Sequence, residues 1–165
     1  IAVHNLRDTA TQLRTLRELK QAGRIRYVGM TTSFPRQYPD FERTMRAETL
    51  DFIQVDYALD SRAAAATILP LAADRGMAVM INLPFGRGRL FQAVQDRALP
   101  PWASSFDCAS WAQFFLKYIV SHPAVTCCVP GTAKVEYLLD NLGAAQGRLP
   151  DAATRRRMEE FIDKL

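Results

Sequence analysis

The residues of this 165-residue chain best suited to chemistry follow its short apolar runs. His4 follows Ile1-Ala2-Val3, and Thr31 and Thr32 follow Ile25 to Met30. Gln54 and Tyr57 close the run that begins at Leu50, Asn82 and Pro84 the run from Met77, and Gly131 and Thr132 the run from Val125. A neutral imidazole such as His4 can donate a hydrogen bond to a substrate oxygen or relay a proton near neutral pH. A lone His near the start of a chain also fits a structural role. Pro130-Gly131-Thr132 lies between an apolar run and a helical segment with Lys134 close by, a setting that suits an anion at a helix start and equally suits a plain turn. Gly86-Arg87-Gly88-Arg89 is neither a Walker loop nor G-x-G-x-x-G, since Phe91 stands where the last Gly would be. No Ser-His-Asp or Cys-His set follows from spacing. No second His, Cys or acid stands at ligand distance from His4, and His122, before Pro123, is expected to be exposed, so no metal is expected.

The elements that must carry these residues alternate. Ile1–Leu6 reads as a strand, with Asp8 and Thr9 as cap candidates for a helix over Thr11–Ala22 that carries Leu13, Leu16 and Leu19 at helical spacing and ends at Gly23. Ile25–Met30 is β-branched and aromatic enough for a second strand. Helix over Tyr38–Ala47, strand over Leu50–Leu59, helix over Ala63–Arg75 with a kink or short 3₁₀ turn at Pro70, and strand over Met77–Leu83 follow. Gly86 to Asp107 is a long polar stretch with Pro100-Pro101, too long for a plain connection and so a candidate functional loop. The pattern closes with a helix over Ser110–Val120, a buried strand over Val125–Val129, a helix over Val135–Leu142, and a last amphipathic helix over Asp151–Lys164 capped by Asp151. In that last helix Met158, Phe161, Ile162 and Leu165 should face inward and Arg155-Arg156-Arg157 should form a solvated face. Trp102, Trp111, Phe114 and Phe115 read as core or loop packing.

Five strands alternating with helices give an α/β fold with a parallel sheet. Two architectures fit: an open doubly wound sheet, or part of a (β/α)₈ barrel, whose five units out of eight would need roughly this length. Both gather ligands at the carboxyl ends of the strands, where the polar residues above stand. A receiver-like or flavodoxin-like sheet would want a Gly-rich or acidic first βα turn, which His4-Asn5-Leu6-Arg7-Asp8 does not supply.

Composition narrows the class. With 48% apolar and 23% charged residues the chain is an ordinary globular domain, and disorder, collagen and a disulfide scaffold are excluded. Charged residues interrupt every hydrophobic run, so no membrane-spanning helix is expected. The net charge of +4 is spread along the chain; it favours an anionic small molecule slightly and does not call for nucleic acid. Cys127 and Cys128 are adjacent in an apolar run, so with Cys108 they read as free, buried thiols of a reducing compartment. The chain opens on Ile1 with no Met, charged n-region or cleavage motif, and reads as a chain cut open with any targeting signal upstream, leaving the cytoplasm as the default compartment.

Taken in order, IAVHNL, LRELKQAGRIRYVGMTTS, DFIQVDYAL, ILPLAADRGMAVMINLPFGRGRL, SHPAVTCCVPGT and YLLDNLGA resemble the C-terminal half of the aldo-keto reductase family across essentially the whole chain. The resemblance implies a (β/α)₈ TIM barrel of which this single domain, residues 1–165, is strands four to eight with the terminal helices. It implies NADPH as cofactor, with NADH as the alternative, and an aldehyde or ketone substrate. His4 matches the catalytic histidine that orients the carbonyl. Thr31 and Thr32 match the pair, and Gln54 the glutamine, that hold the nicotinamide carboxamide. Asn82 falls where the family usually has a stacking aromatic, and Pro84-Phe85-Gly86 where a loop passes the pyrophosphate. Gly131, Thr132 and Lys134 match the phosphate loop, and Asp140-Asn141 the acid-Asn pair near the adenine, whereas Tyr137 replaces the Arg that many members place on the 2′-phosphate. Tyr57 falls at a strand position beside the cofactor and takes no proton-donor role. The family's Asp, proton-donating Tyr and Lys belong to earlier strands.

The chain by itself is therefore expected to turn over little or no substrate, since loss of general-acid catalysis alone costs a factor of roughly 10² to 10⁴. Its two sheet edges are expected to invite self-association. The alternative is a non-catalytic nucleotide-binding or interaction module derived from the same family.

Overall fold

Period-2 alternation divides each strand into one face that packs and one that is left free. In the computed structural model, which describes residues 1–165, the strands are β1 (Ala2–Val3), β2 (Gly29–Thr31), β3 (Phe52–Asp56), β4 (Ala78–Asn82) and β5 (Cys127–Cys128). All pair in parallel in the order β1-β2-β3-β4-β5. A doubly wound sheet must reverse its strand order partway. This order never reverses, so the sheet progresses as a barrel wall does.

Seven α-helices connect and cover the strands: α1 (Thr9–Gln21), α2 (Tyr38–Ala47), α3 (Ile68–Asp74), α4 (Arg89–Ala93), α5 (Trp111–Val120), α6 (Val135–Gly143) and α7 (Ala152–Ile162). One sheet face, with Val3, Met30, Ile53, Val55, Val79 and Ile81 fully buried, packs on Leu13 of α1, Phe41 and Met45 of α2, Ile68 and Leu69 of α3, and Phe114, Phe115 and Ile119 of α5. Gly29 is required here, because a Cβ would stand 2.5 Å from the carbonyl oxygen of Phe52 on the paired strand. The opposite face, inward in barrel terms, carries Thr31, Gln54 and Met80 in register, with Asp56 and Asn82 paired one layer higher.

Several elements are shorter than the apolar runs suggest. The first strand stops at Val3, where His4–Leu6 turn into a 3₁₀ segment with Asn5 and Leu6 left-handed (φ 53° and 55°). Asp8 is also left-handed and its side chain caps nothing. The helix expected over Ala63–Arg75 is a 3₁₀ turn, Ala63–Ala65, followed by α3 after a break at Thr67; Pro70 sits in the first turn of α3, where its missing N–H has no intrahelical partner to lose. The long polar stretch is not structureless: it contains a 3₁₀ turn at Gly86–Gly88, α4 and a 3₁₀ segment at Pro101–Phe106, anchored by buried Leu90, Val94, Ala103 and Phe106.

The last strand corrects two expectations. It is an edge of two paired residues, not a buried run, and Val129 is 45% exposed. Cys127 is exposed and Cys128 half-buried, leaving Cys108 as the one buried thiol, because β5 has a partner on one side alone. Asp151 does cap α7, accepting from the Thr154 N–H at 2.8 Å. Of the three arginines, however, Arg155 turns inward, and Leu165 is exposed.

Candidate functional site

The upper rim of the inward face is built by strand ends that hold one another. The Asn5 N–H donates to Thr31 Oγ1 (3.2 Å), and Gln37 Nε2 donates to the Asn5 carbonyl (3.0 Å). Thr32 Oγ1 donates to Gln37 Oε1 (2.6 Å) and accepts from the Phe34 N–H (3.2 Å). This places His4, exposed, at the end of β1 with Asn5 Nδ2 3.3 Å from its Nε2, beside Thr31 on β2. Thr31 and Gln54 share one register layer of the inward face. Thr32 differs. Its side chain is fully buried on the outward side, and its part in the rim is a carbonyl that accepts from Asn82 Nδ2 at 3.2 Å.

Asn82 and Asp56 form the next layer. Asn82 Oδ1 is buried with no hydrogen-bond partner. Asp56 is 6% exposed, and one carboxylate oxygen accepts from Tyr38 OH at 3.0 Å. Burial pushes the Asp56 carboxyl above the ordinary range, and the Tyr38 hydrogen bond only partly offsets this. Burial, and then the neighbouring Asp56 charge and hydrogen bond, push the Tyr38 phenol up as well. Neither residue was singled out by sequence reasoning, although Asp56 lies two positions beyond Gln54 and therefore on the same face by strand alternation.

A second region lies beyond the end of β4. A cleft of about 440 Å³ is lined by Phe85, Phe91, Ser110, Trp111, Gly131, Thr132, Tyr137, Asp140 and Asn141, among others. Five residues expected at a cofactor thus converge here from two distant stretches: Phe85 after β4, and Gly131, Thr132, Asp140 and Asn141 before and within α6. Ser110 explains how the cleft is held. Its hydroxyl caps α5 by accepting from the Gln113 N–H (3.1 Å) and donates to Asp140 Oδ2 (2.7 Å), while Gln113 Nε2 donates to Asp140 Oδ1 (2.7 Å). Asp140 therefore fastens α6 to the start of α5, and neighbouring Asn141 is buried to 9% exposure. Trp111, expected as packing, serves as packing and as a cleft wall. Lys134 lies just outside, with its backbone N–H on Thr132 Oγ1 (3.2 Å) and its ammonium 4.8 Å from the Tyr137 ring centre.

Gly86 sits between the two regions. A Cβ there would stand 2.6 and 2.7 Å from the Asp60 carboxylate oxygens, and its φ of +57° also favours glycine. Tyr57, in contrast, points to the outward side. It is 1% exposed, with its hydroxyl on Tyr118 OH and Arg155 Nη2, both at 2.9 Å, away from the rim. His122 is half-buried, edge-on to Tyr57, with Nδ1 accepting from the Ala124 N–H. No cluster of three or more His, Cys, Asp or Glu side chains could hold a metal ion, and no helix is long and apolar enough to cross a membrane.

Asn82 Oδ1 on the rim has no hydrogen-bond partner within residues 1–165, and the aromatic walls of the cleft, with no cation among them, suit a flat base.

Known proteins resemble this chain along most of its length. A family model described as the aldo/keto reductase family matches residues 3–161. The chain is similar to Aldo-keto reductase str7 of Strobilurus tenacellus, at 24% identity over 176 residues, covering 87% of this chain and 52% of that protein. It thus spans about half the length of this curated relative. Among solved structures it resembles an aldo/keto reductase from Klebsiella pneumoniae in complex with NADP and acetate (TM-score 0.78, 21% identity, 98% of this chain and 57% of that one). It also resembles the holo form of AKR11C1 from Bacillus halodurans (TM-score 0.75, 19%, 96% and 59%) and the glycerol dehydrogenase AKR11B4 from Gluconobacter oxydans (TM-score 0.74, 18%, 99% and 57%). Such likenesses establish the fold: five parallel βα units of a TIM-type barrel.

Proposed function

This chain belongs to the aldo-keto reductase family, and from that premise we propose that residues 1–165 are strands four to eight of an NAD(P)H-dependent oxidoreductase that reduces an aldehyde or ketone. The observation that carries this reading is the convergence of Phe85, Gly131, Thr132, Asp140 and Asn141 on one cleft, at the end of the strand that also bears Asn82. Thr31, Gln54 and Asn82 would hold the nicotinamide end, Phe85 and Gly86 the connecting phosphates, and Gly131, Thr132, Lys134 and Asn141 the adenosine end. Asp140 acts on that end through α5, holding Asn141 in place. When bound, the reduced nicotinamide supplies the two electrons and the hydrogen that turn a carbonyl carbon into an alcohol carbon.

His4 is the one catalytic residue in this reading. It is exposed at the end of β1, and an imidazole N–H there can hydrogen-bond the carbonyl oxygen and fix the face that reacts. The proton for the alkoxide would come from earlier strands, so residues 1–165 alone should bind cofactor and turn over little carbonyl. Without those strands, β1 and β5 are open edges, and self-association through them is part of the proposal.

The reading is tested by titrating the chain with NADPH and NADH and following tryptophan fluorescence, since Trp111 lines the cleft. Saturable quenching is expected, weakened roughly tenfold by Asn141→Ala, the size of a lost buried hydrogen bond, and unchanged by His4→Ala. A folded chain that shows no saturation with either cofactor refutes it. Saturation by NADPH and NADH with similar affinity is expected, because Tyr137 stands in place of a 2′-phosphate-binding cation.

A further inference from the structure

The turn that follows His4 is held against the preference of its own backbone. The sequence from Ile1 to Leu6 reads as one strand, yet pairing stops at Val3. Directly beyond it Asn5, Leu6 and Asp8 are left-handed (φ 53°, 55° and 44°). Asn and Asp tolerate that region, whereas the Cβ of a leucine there crowds the following carbonyl. Strain of this kind persists only where the surroundings over-determine the conformation.

Four side chains supply the constraint. Two come from α1, the helix that the turn leads into: Thr9 Oγ1 donates to the Leu6 carbonyl (3.0 Å), and Gln12 Nε2 to the Arg7 carbonyl (2.8 Å). The other two come from distant elements and fix both backbone groups of Asn5, the residue next to His4. Its N–H donates to Thr31 Oγ1 (3.2 Å), and its carbonyl accepts from Gln37 Nε2 (3.0 Å). The orientation of Gln37 follows from chemistry. The Asn5 carbonyl can only accept, so it takes Nε2 and leaves Oε1 to accept from Thr32 Oγ1 (2.6 Å). Gln37 stands directly before α2, whose Phe41 and Met45 are fully buried, so the helix start that carries it is anchored in the core.

We propose that Gln37 is a positioning residue for the carbonyl reaction: by clamping the Asn5 carbonyl it keeps the strained turn closed and the His4 imidazole in place at the end of β1. This rests on the role of His4 in the reductase reading. Without the clamp, Asn5 and Leu6 relax toward the extended backbone that their sequence favours, and His4 moves with them. A displacement of about 1 Å at a reacting group costs up to ~10²-fold in rate, so a measurable loss is expected from one missing hydrogen bond.

The test uses the full-length protein with NADPH and a panel of simple aldehydes and ketones. Gln37→Glu keeps the acceptor for Thr32 and removes the donor to Asn5. Gln37→Met keeps the volume and removes both bonds, and serves as the second probe if the carboxylate disturbs folding. Each should lower kcat about tenfold and leave the Kd for NADPH unchanged. His4→Ala alone and His4→Ala combined with Gln37→Glu should have the same kcat, because the clamp acts through His4. A merely structural contribution would repeat its loss in the His4→Ala background. A second arm needs no turnover: hydrogen exchange read by mass spectrometry should quicken in the peptide covering residues 4–8 in both variants and stay unchanged over β3. Wild-type protein that reduces no member of the panel counts against the reductase reading, and the exchange arm then decides whether Gln37 holds the turn. Unchanged exchange at residues 4–8, wild-type kcat in both variants, or a loss that repeats without His4 overturns the proposal.

Discussion

His122 shows how one side chain can make stability depend on pH. Burial, and then the Arg155 charge, hold its imidazole below the ordinary value, so the fold favours the neutral ring. The unfolded chain then binds more protons than the native one from about 6.5 downward, and stability present above that pH is lost as pH falls toward the lowered value. Melting temperature should decline between about pH 7.5 and 5.5, and His122→Asn should flatten that decline; an unchanged slope in the variant would assign the effect elsewhere. At this scale the places of His4, Thr31, Gln54 and Asn82 at or near strand ends were legible, because a polar residue ending an apolar run stands out locally. The partnership of Tyr38 with Asp56 was not, because the whole of α2 and β3 separates the two in sequence and they meet only in the folded chain.

Helix ends decide how firmly the cleft is held. Ser110→Ala removes both the α5 cap and the link to Asp140; it should destabilise the chain by about 1–2 kcal/mol and also weaken NADPH binding, read by chemical denaturation and by titration. The three arginines of α7 should separate in the same way. Arg155 donates to Ser121 Oγ (2.7 Å), Tyr57 OH and the Tyr118 carbonyl, and its guanidinium lies 4.2 Å from the Tyr118 ring centre. Arg155→Ala should cost about 1–3 kcal/mol by leaving those acceptors unmet, whereas exposed Arg156→Ala should stay within about 0.5 kcal/mol. Amphipathic spacing placed α7 and its inward Met158 and Ile162. It could not single out Arg155, because the cavity that admits a guanidinium is formed by α5 and the end of β3.

The sheet of the whole molecule is open at both edges, and a group of exposed apolar residues lies beside one of them. Val135, Leu138, Leu139 and Leu142 of α6 are exposed next to the edge strand β5. Residues 1–165 should therefore associate with increasing concentration in sedimentation, and Leu139→Glu with Leu142→Glu should suppress this without lowering the melting temperature. Within the core, Phe114→Ala should cost about 3–5 kcal/mol, because its ring is fully buried among Trp102, Phe106, Trp111 and Phe115.

The sequence by itself determined the alternation of strands and helices, the parallel sheet and the strand ends that carry polar groups, because hydrophobic period, caps and breakers are local properties. Short-range pattern could not choose between a doubly wound sheet and a barrel. The unreversed strand order decided it, and strand order is a matter of which edges pair. Tertiary structure alone exposed β5, turned Thr32 and Tyr57 outward, gave the long polar stretch its buried anchors, and set Asp56 beside the unpaired oxygen of Asn82. Each of these depends on which distant segment lies against a residue, and burial and hydrogen-bond satisfaction exist only once the chain has folded.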